Sequence, residues 1–160
     1  MKVVDMHCDT IYELYERRKN GEQEKLLKNN LHIDLLKMEK GDYFLQNFAV
    51  YVHLGKQERP FEYAMRLIDV FYEEMAANAD KIDVVRSWED IEKNWKKGKL
   101  SALLSIEEGG VCQGEIAFLR DFYRMGVRMM TLTWNFPNEL GYPNRIVSGN
   151  ERPPVCVADT

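Results

Sequence analysis

The chain has 160 residues, 45% hydrophobic and 30% charged, which suits one soluble globular domain or part of a larger one. Its 22 Lys+Arg against 26 Asp+Glu give a net charge of -4, so the clustered positive charge of a nucleic-acid footprint is missing. No apolar run approaches the roughly 20 residues that cross a bilayer, and the opening MKVVDMHCDT turns polar too soon for a secretory signal.

Val3 and Val4 give the first few residues the β-branched character of a short strand, Lys2 to Met6. From Thr10, a candidate N-cap, the period becomes helical, with Ile11, Leu14 and Tyr15 on one face. A polar stretch from Asn20 to Asn30 reads as loop, and Glu22 to Lys28 as mixed-charge surface. A short helical piece, Ile33 to Met38, closes near Gly41. Tyr43 to Leu54 is the clearest strand. The strongest helix follows Pro60: Phe61, Ala64, Met65, Ile68, Phe71, Tyr72 and Met75 recur at three-four spacing, a core-packing stripe. Ser87 with Asp90 forms a capping box for a helix carrying Ile91 and Trp95, whose Lys93, Lys96 and Lys97 form a solvated C-terminal end. Leu100 to Ile106 is a second apolar strand. Ile116, Leu119, Phe122 and Tyr123 make one face of a helix closed by Gly126, and Val127 to Thr133 is a further strand. From residue 134 to 160 the period stops, which predicts a long irregular loop or tail.

Strands alternating with helices predict an α/β fold with a parallel sheet. No Gly-rich phosphate loop follows the first strand. His7-Cys8-Asp9 does, and the C-terminal ends of the strands are where a (β/α)8 barrel places its chemistry. Side chains alternate along a strand, so His7 and Asp9 share one face and can ligate one divalent cation, while Met6 and Cys8 share the other. The bland alternative is a hydrogen-bonded structural histidine. By the same alternation Glu107 ends its strand facing the barrel mouth and Glu108 faces away. Gly109 and Gly110 then suit a tight turn. The three cysteines, Cys8, Cys112 and Cys156, are odd in number and irregularly spaced, which predicts reduced thiols in a cytoplasmic protein.

Asp5-Met6-His7-Cys8-Asp9 resembles the opening motif of the renal (membrane) dipeptidase family of zinc peptidases. Ile106-Glu107, Gly109, Leu119, Tyr123 and Gly126-Val127-Arg128 are similar to its Glu-Gly-Gly signature region. Leu132-Thr133-Trp134-Asn135 with Asn138 to Asn144 is similar to the next strand end in bacterial members, and Gln46 and Tyr51 sit in a strand like its second. The resemblance implies a (β/α)8 TIM-type barrel of which this chain holds about the first four βα units, a single partial domain over 1–160. It implies a dipeptide substrate and two zinc ions, with His7 and Asp9 on the first and Glu107 bridging both, clamping the hydroxide that attacks the peptide carbonyl. Glu108 replaces a glycine of the signature, and Cys112 an aliphatic residue. Trp134 stands where some relatives carry a substrate-binding histidine, so Trp134 and Asn135 become the substrate-side candidates. The two histidines that complete the family's second zinc site match neither His32 nor His53.

The expectation is therefore a cytoplasmic zinc dipeptidase represented by its N-terminal half and inactive alone, without nucleic-acid or membrane partners. It would work as a homo-oligomer or with a complementing C-terminal half. The competing reading is a non-catalytic half-barrel that binds metal or a partner. A wider amidohydrolase-type enzyme shares the His-x-Asp start but would use two histidines there.

Overall fold

Helices and strands alternate along the chain much as the hydrophobic periods predict. In chain order they are β1 (Val3–Asp5), α1 (Thr10–Lys19), α2 (Leu35–Lys40), β2 (Tyr43–Tyr51), α3 (Pro60–Ala77), β3 (Ile82–Val84), α4 (Trp88–Lys96), β4 (Leu100–Glu107), α5 (Ile116–Arg124) and β5 (Val127–Thr131). The computed structural model describes residues 1–143, so the later part of the predicted tail, including Asn144 and Cys156, lies outside the described residues.

Every strand pairing is parallel. β1 lies beside β2 and β2 beside β4, with Leu45 to Tyr51 in register against Ser101 to Glu107. A strand has only two edges, and β2 takes one edge of β4 along its length. β3 and β5 divide the other: β3 pairs with Leu100 to Ala102, and β5 with Leu104 to Glu107. Five strands thus make a sheet four places wide, an α/β partial barrel. The sequence period gives four strands and misses β3, because three residues with an exposed Asp83 at the centre are too short to show one.

One face of this sheet is dry. Phe48 and Val50 of β2 and Ala102, Leu104 and Ile106 of β4 are buried against the stripe of α3, where Leu67 and Phe71 are fully enclosed. The Phe48 and Phe71 rings meet at 5.8 Å. Ile11 and Leu14 of α1 complete the layer. α3 starts on Pro60, whose missing N–H has no intrahelical partner to lose. Ser87 accepts from the Asp90 N–H at the head of α4, as its capping box predicts.

Several local expectations change. Asp9, not Thr10, is the N-cap position of α1, and its side chain makes no capping bond. α2 begins two residues later than its period suggests, because Asp34 accepts from the Lys37 N–H and sets the start there. β2 ends at Tyr51, and Leu54–Lys56 is a 3-10 turn. Within the polar Glu22 to Lys28 segment, Leu26 is fully buried, its N–H held at 2.8 Å by the buried Glu74 carboxylate. The face of α5 is not covered as a whole: Phe122 is buried, while Ile116, Leu119 and Tyr123 are exposed. α5 leans on α3 through Phe118 and Phe122 against Phe61, and a helix so placed buries only that side.

Candidate metal centre

β1 and β4 carry their C-terminal ends to the same side of the sheet because all strands run parallel. At Asp5 the regular strand stops, and the Asp5 carboxylate accepts from the His7 N–H at 3.1 Å, an Asx-type bend that turns the next residues. The backbone of Cys8 still pairs with β2, donating to Asn47 O at 3.1 Å and accepting from Ala49 N at 3.0 Å. Cys8 therefore packs into the core, while His7 and Asp9 stand on the open side. Met6 does not follow Cys8 inward. It is exposed, since the bend after Asp5 breaks strict alternation.

The imidazole and two carboxylates meet. His7 Nε2 is 3.4 Å from Asp9 Oδ1 and 3.3 Å from Glu107 Oε2. One donor atom from each of the three residues lies within 4.8 Å of the others. Four donors at about 2.0–2.1 Å from a tetrahedral ion stand about 3.3–3.4 Å apart, so this spacing fits a divalent cation of the zinc type. The donor set of one imidazole and two carboxylates suits the same class. Asp9 is free for this role because it caps nothing. Glu107 is the most enclosed of the three. Its partial burial pushes its carboxyl above the usual carboxylate range, with Asp9 and Glu108 adding to the shift and His7 opposing it.

Glu108, one residue on, does something else. It is fully buried, and its two oxygens accept from Gly110 N, Trp134 N and Asn138 Nδ2. Gly109 and Gly110 open a 3-10 turn (Gly109–Cys112) on which the segment after β5 lies closely. A Cβ on Gly109 would stand 2.7 Å from Leu132 O, so glycine is required there by packing.

Tyr51, in register with Glu107, has its hydroxyl pushed up to about 12, first by burial and then by the charges of Glu107 and neighbouring groups. The Trp134 ring stands 5.0 Å from that of Tyr51 and 5.7 Å from His53, and His53 lies 4.9 Å from Phe136. His53 thus belongs to an aromatic group, where its Nδ1 is enclosed without a hydrogen-bond partner, and not to the His7 cluster. His32 is exposed in the loop ahead of α2. Asn135 follows Trp134, partly buried, and is not among the three clustered donors.

Sequence reasoning missed three supports of this arrangement. Asp5 shapes the bend, and an Asp two residues before a strand-end His is its only local signal. Asn47 donates to Met6 O at 2.7 Å and to Ser105 Oγ at 2.9 Å, tying β1, β2 and β4 together beneath the cluster. Glu108 anchors a distant loop, which no spacing reveals. Two clefts among the described residues open away from the cluster, toward the N-terminal ends of the strands. One of about 490 Å³ lies beside Lys2, Asp42 and Leu100, and one of about 310 Å³ beside Phe44, Trp88 and Trp95.

Residues 1–147 match the family model described as membrane dipeptidase, peptidase family M19. Human Dipeptidase 3 is 30% identical over 135 residues, covering 82% of this chain and 27% of its own length. Dipeptidase tcpJ of Claviceps purpurea is 26% identical over 110 residues, covering 63% and 26%. The chain thus spans about a quarter of the length of these curated relatives. Among solved structures, a metallopeptidase of family M19 named dipeptidase AC superposes with a TM-score of 0.78 at 21% identity, covering 87% of this chain and 44% of that one. A Rhodobacter sphaeroides metallopeptidase, solved with a phosphinate mimic of the dipeptide L-Ala-D-Ala, gives 0.72 at 20% identity, covering 87% and 47%. Both likenesses are of fold.

Proposed function

Since the chain belongs to the membrane dipeptidase family, peptidase family M19, we propose that it supplies the first cation-binding strand ends of a zinc-dependent dipeptidase. The observation that carries this reading is the convergence of His7, Asp9 and Glu107, with one donor atom from each within 4.8 Å of the others.

In this proposal His7, Asp9 and Glu107 would hold zinc, with Glu107 the residue that would be shared with a second ion. Zinc, when bound, supplies a Lewis acid that polarises a peptide carbonyl and lowers the pKa of water to about 7. The chain's own residues do the positioning. Asp5 fixes the turn that presents His7, Asn47 ties the strand ends together, and Glu107 is the most enclosed of the three clustered donors. Trp134, with Asn135 beside it, borders the substrate side, where the aromatic ring excludes water from the peptide.

A dipeptide is the proposed substrate, in keeping with the family and with the dipeptide mimic named for the Rhodobacter sphaeroides neighbour. The second ion needs donors that His32 and His53 do not supply in this arrangement, so we propose that hydrolysis requires the remaining barrel strands, from a complementing C-terminal half or a second copy. The exposed apolar side chains Val4, Met6, Met129 and Leu132 at the open strands favour such association. They equally motivate the second reading, a non-catalytic metal-binding or interaction module. Buried free thiols at Cys8 and Cys112 support a reducing, cytoplasmic setting, which cell fractionation would check.

The test is zinc stoichiometry by calorimetry together with hydrolysis of simple dipeptides, for the chain alone and with a polypeptide carrying the remaining strands. One tightly held zinc in the chain alone, and hydrolysis only in the complex, is expected. A complex that binds zinc at this cluster yet hydrolyses no dipeptide would favour the module. Absence of zinc binding would remove both metal-based readings.

A further inference from the structure

Glu108 takes no part in the cation cluster, yet it is fully buried one residue from it, and its backbone sits at φ +117°, where L side chains are rarely found. Its Oε1 accepts from Gly110 N at 3.0 Å and from Asn138 Nδ2 at 2.5 Å, and its Oε2 from Trp134 N at 3.2 Å. Two of these three donors belong to the segment that follows β5.

That segment is folded around Asn138. The Asn138 amide also donates to Leu132 O at 2.8 Å, and its Oδ1 accepts from Leu140 N at 2.8 Å and Gly141 N at 3.2 Å. The segment rests on the Gly109–Gly110 turn so closely that a Cβ on Gly109 would stand 2.6 Å from a Leu140 methyl, and one on Gly110 3.0 Å from the Asn138 Cβ. From this strap Trp134 and Phe136 reach Tyr51 and His53, and Tyr51 is the register partner of Glu107.

We infer that Glu108 is a positioning residue that straps the segment after β5 across the end of β4 and thereby sets Trp134 as an aromatic wall beside the cation cluster. The chemistry suits an ionised carboxylate, which accepts only, and here three N–H donors converge on it. A glutamine keeps one accepting oxygen but turns an NH₂ toward one of those donors. The wall's use in receiving substrate rests on the peptidase reading; the strapping does not.

The experiment uses the full chain carrying Trp88→Phe and Trp95→Phe, which leaves Trp134 as its single tryptophan. Acrylamide quenching of Trp134 is measured with Glu108 intact and in the Glu108→Ala and Glu108→Gln forms. A sister chain with Trp95→Phe and Trp134→Phe reports on Trp88 as a remote control. The expected result is at least a twofold rise in the Trp134 quenching constant for Glu108→Ala, an intermediate rise for Glu108→Gln, and an unchanged Trp88. Zinc affinity should stay within threefold of the parent. Trp134 quenching unaltered by Glu108→Ala would overturn the proposal, as would an equal rise at Trp88, which would mean general loosening. If the Ala form does not fold, Glu108→Gln and Asn138→Ala decide by the same readout. A parent chain that binds no zinc would overturn the peptidase reading while leaving the strapping result intact.

Discussion

His7 Nε2 and Glu107 Oε2 lie 3.3 Å apart although they end strands that do not pair, β1 and β4, with β2 between them in the sheet. The contact therefore depends on the bend after Asp5 and on the parallel run of all three strands. It would be lost if either strand slipped by one residue, because a one-residue slip turns each side chain to the opposite face.

Removing the central carboxylate should uncouple cation binding from folding. Glu107→Gln keeps the shape and loses the charge, and we expect zinc affinity to fall by at least about tenfold, the lower end of what is lost even when an outer partner of a ligand is removed. Calorimetric titration checks this, with far-UV circular dichroism expected to be unchanged. An unaltered affinity would take Glu107 out of the site.

The dry face of the sheet should be the main source of stability. Phe71 is fully buried and meets Phe48 at 5.8 Å. Truncation by Phe71→Ala should cost about 3–5 kcal/mol. Urea unfolding followed by fluorescence would show the midpoint moving down with the slope kept.

Asp34 gives a pH-dependent contribution of known sign. Burial alone would raise its carboxyl pKa, but the Lys37 ammonium and the N–H groups of Lys37 and Asn29 outweigh it and hold the value below the ordinary 3.8. A depressed acid favours the folded state once ionised. Its contribution is complete well above pH 3.8 and disappears as pH falls through the lower folded value. Asp34→Asn should cost about 1–3 kcal/mol at pH 7. Below about pH 4 the gap to the parent should close, as denaturant midpoints across pH would record.

The two buried thiols should be inert. Burial pushes Cys8 up to about 11, leaving roughly one part in a thousand as thiolate at pH 8. Cys112 is raised as well, by burial and then by Glu139. In a Cys156→Ser chain, Ellman's reagent should find no fast-reacting thiol until denaturant is added, and then two.

The alternation of strand and helix, the α3 stripe, and the residue types able to hold a cation were all legible in the sequence, because each shows itself within a few residues as a period or a motif. β3 was not, since three residues carry no period and the strand exists only because half an edge of β4 is free for it. Nor was the open face of α5, because an amphipathic pattern names an apolar side without naming what covers it. The adjacent pair Glu107 and Glu108 shows the division most closely. Side-chain alternation alone sent them to opposite faces. Only the folded chain turned one toward His7 and made the other the buried acceptor for Trp134 and Asn138, because those partners come from distant parts of the chain and local sequence cannot encode a contact whose other half lies elsewhere.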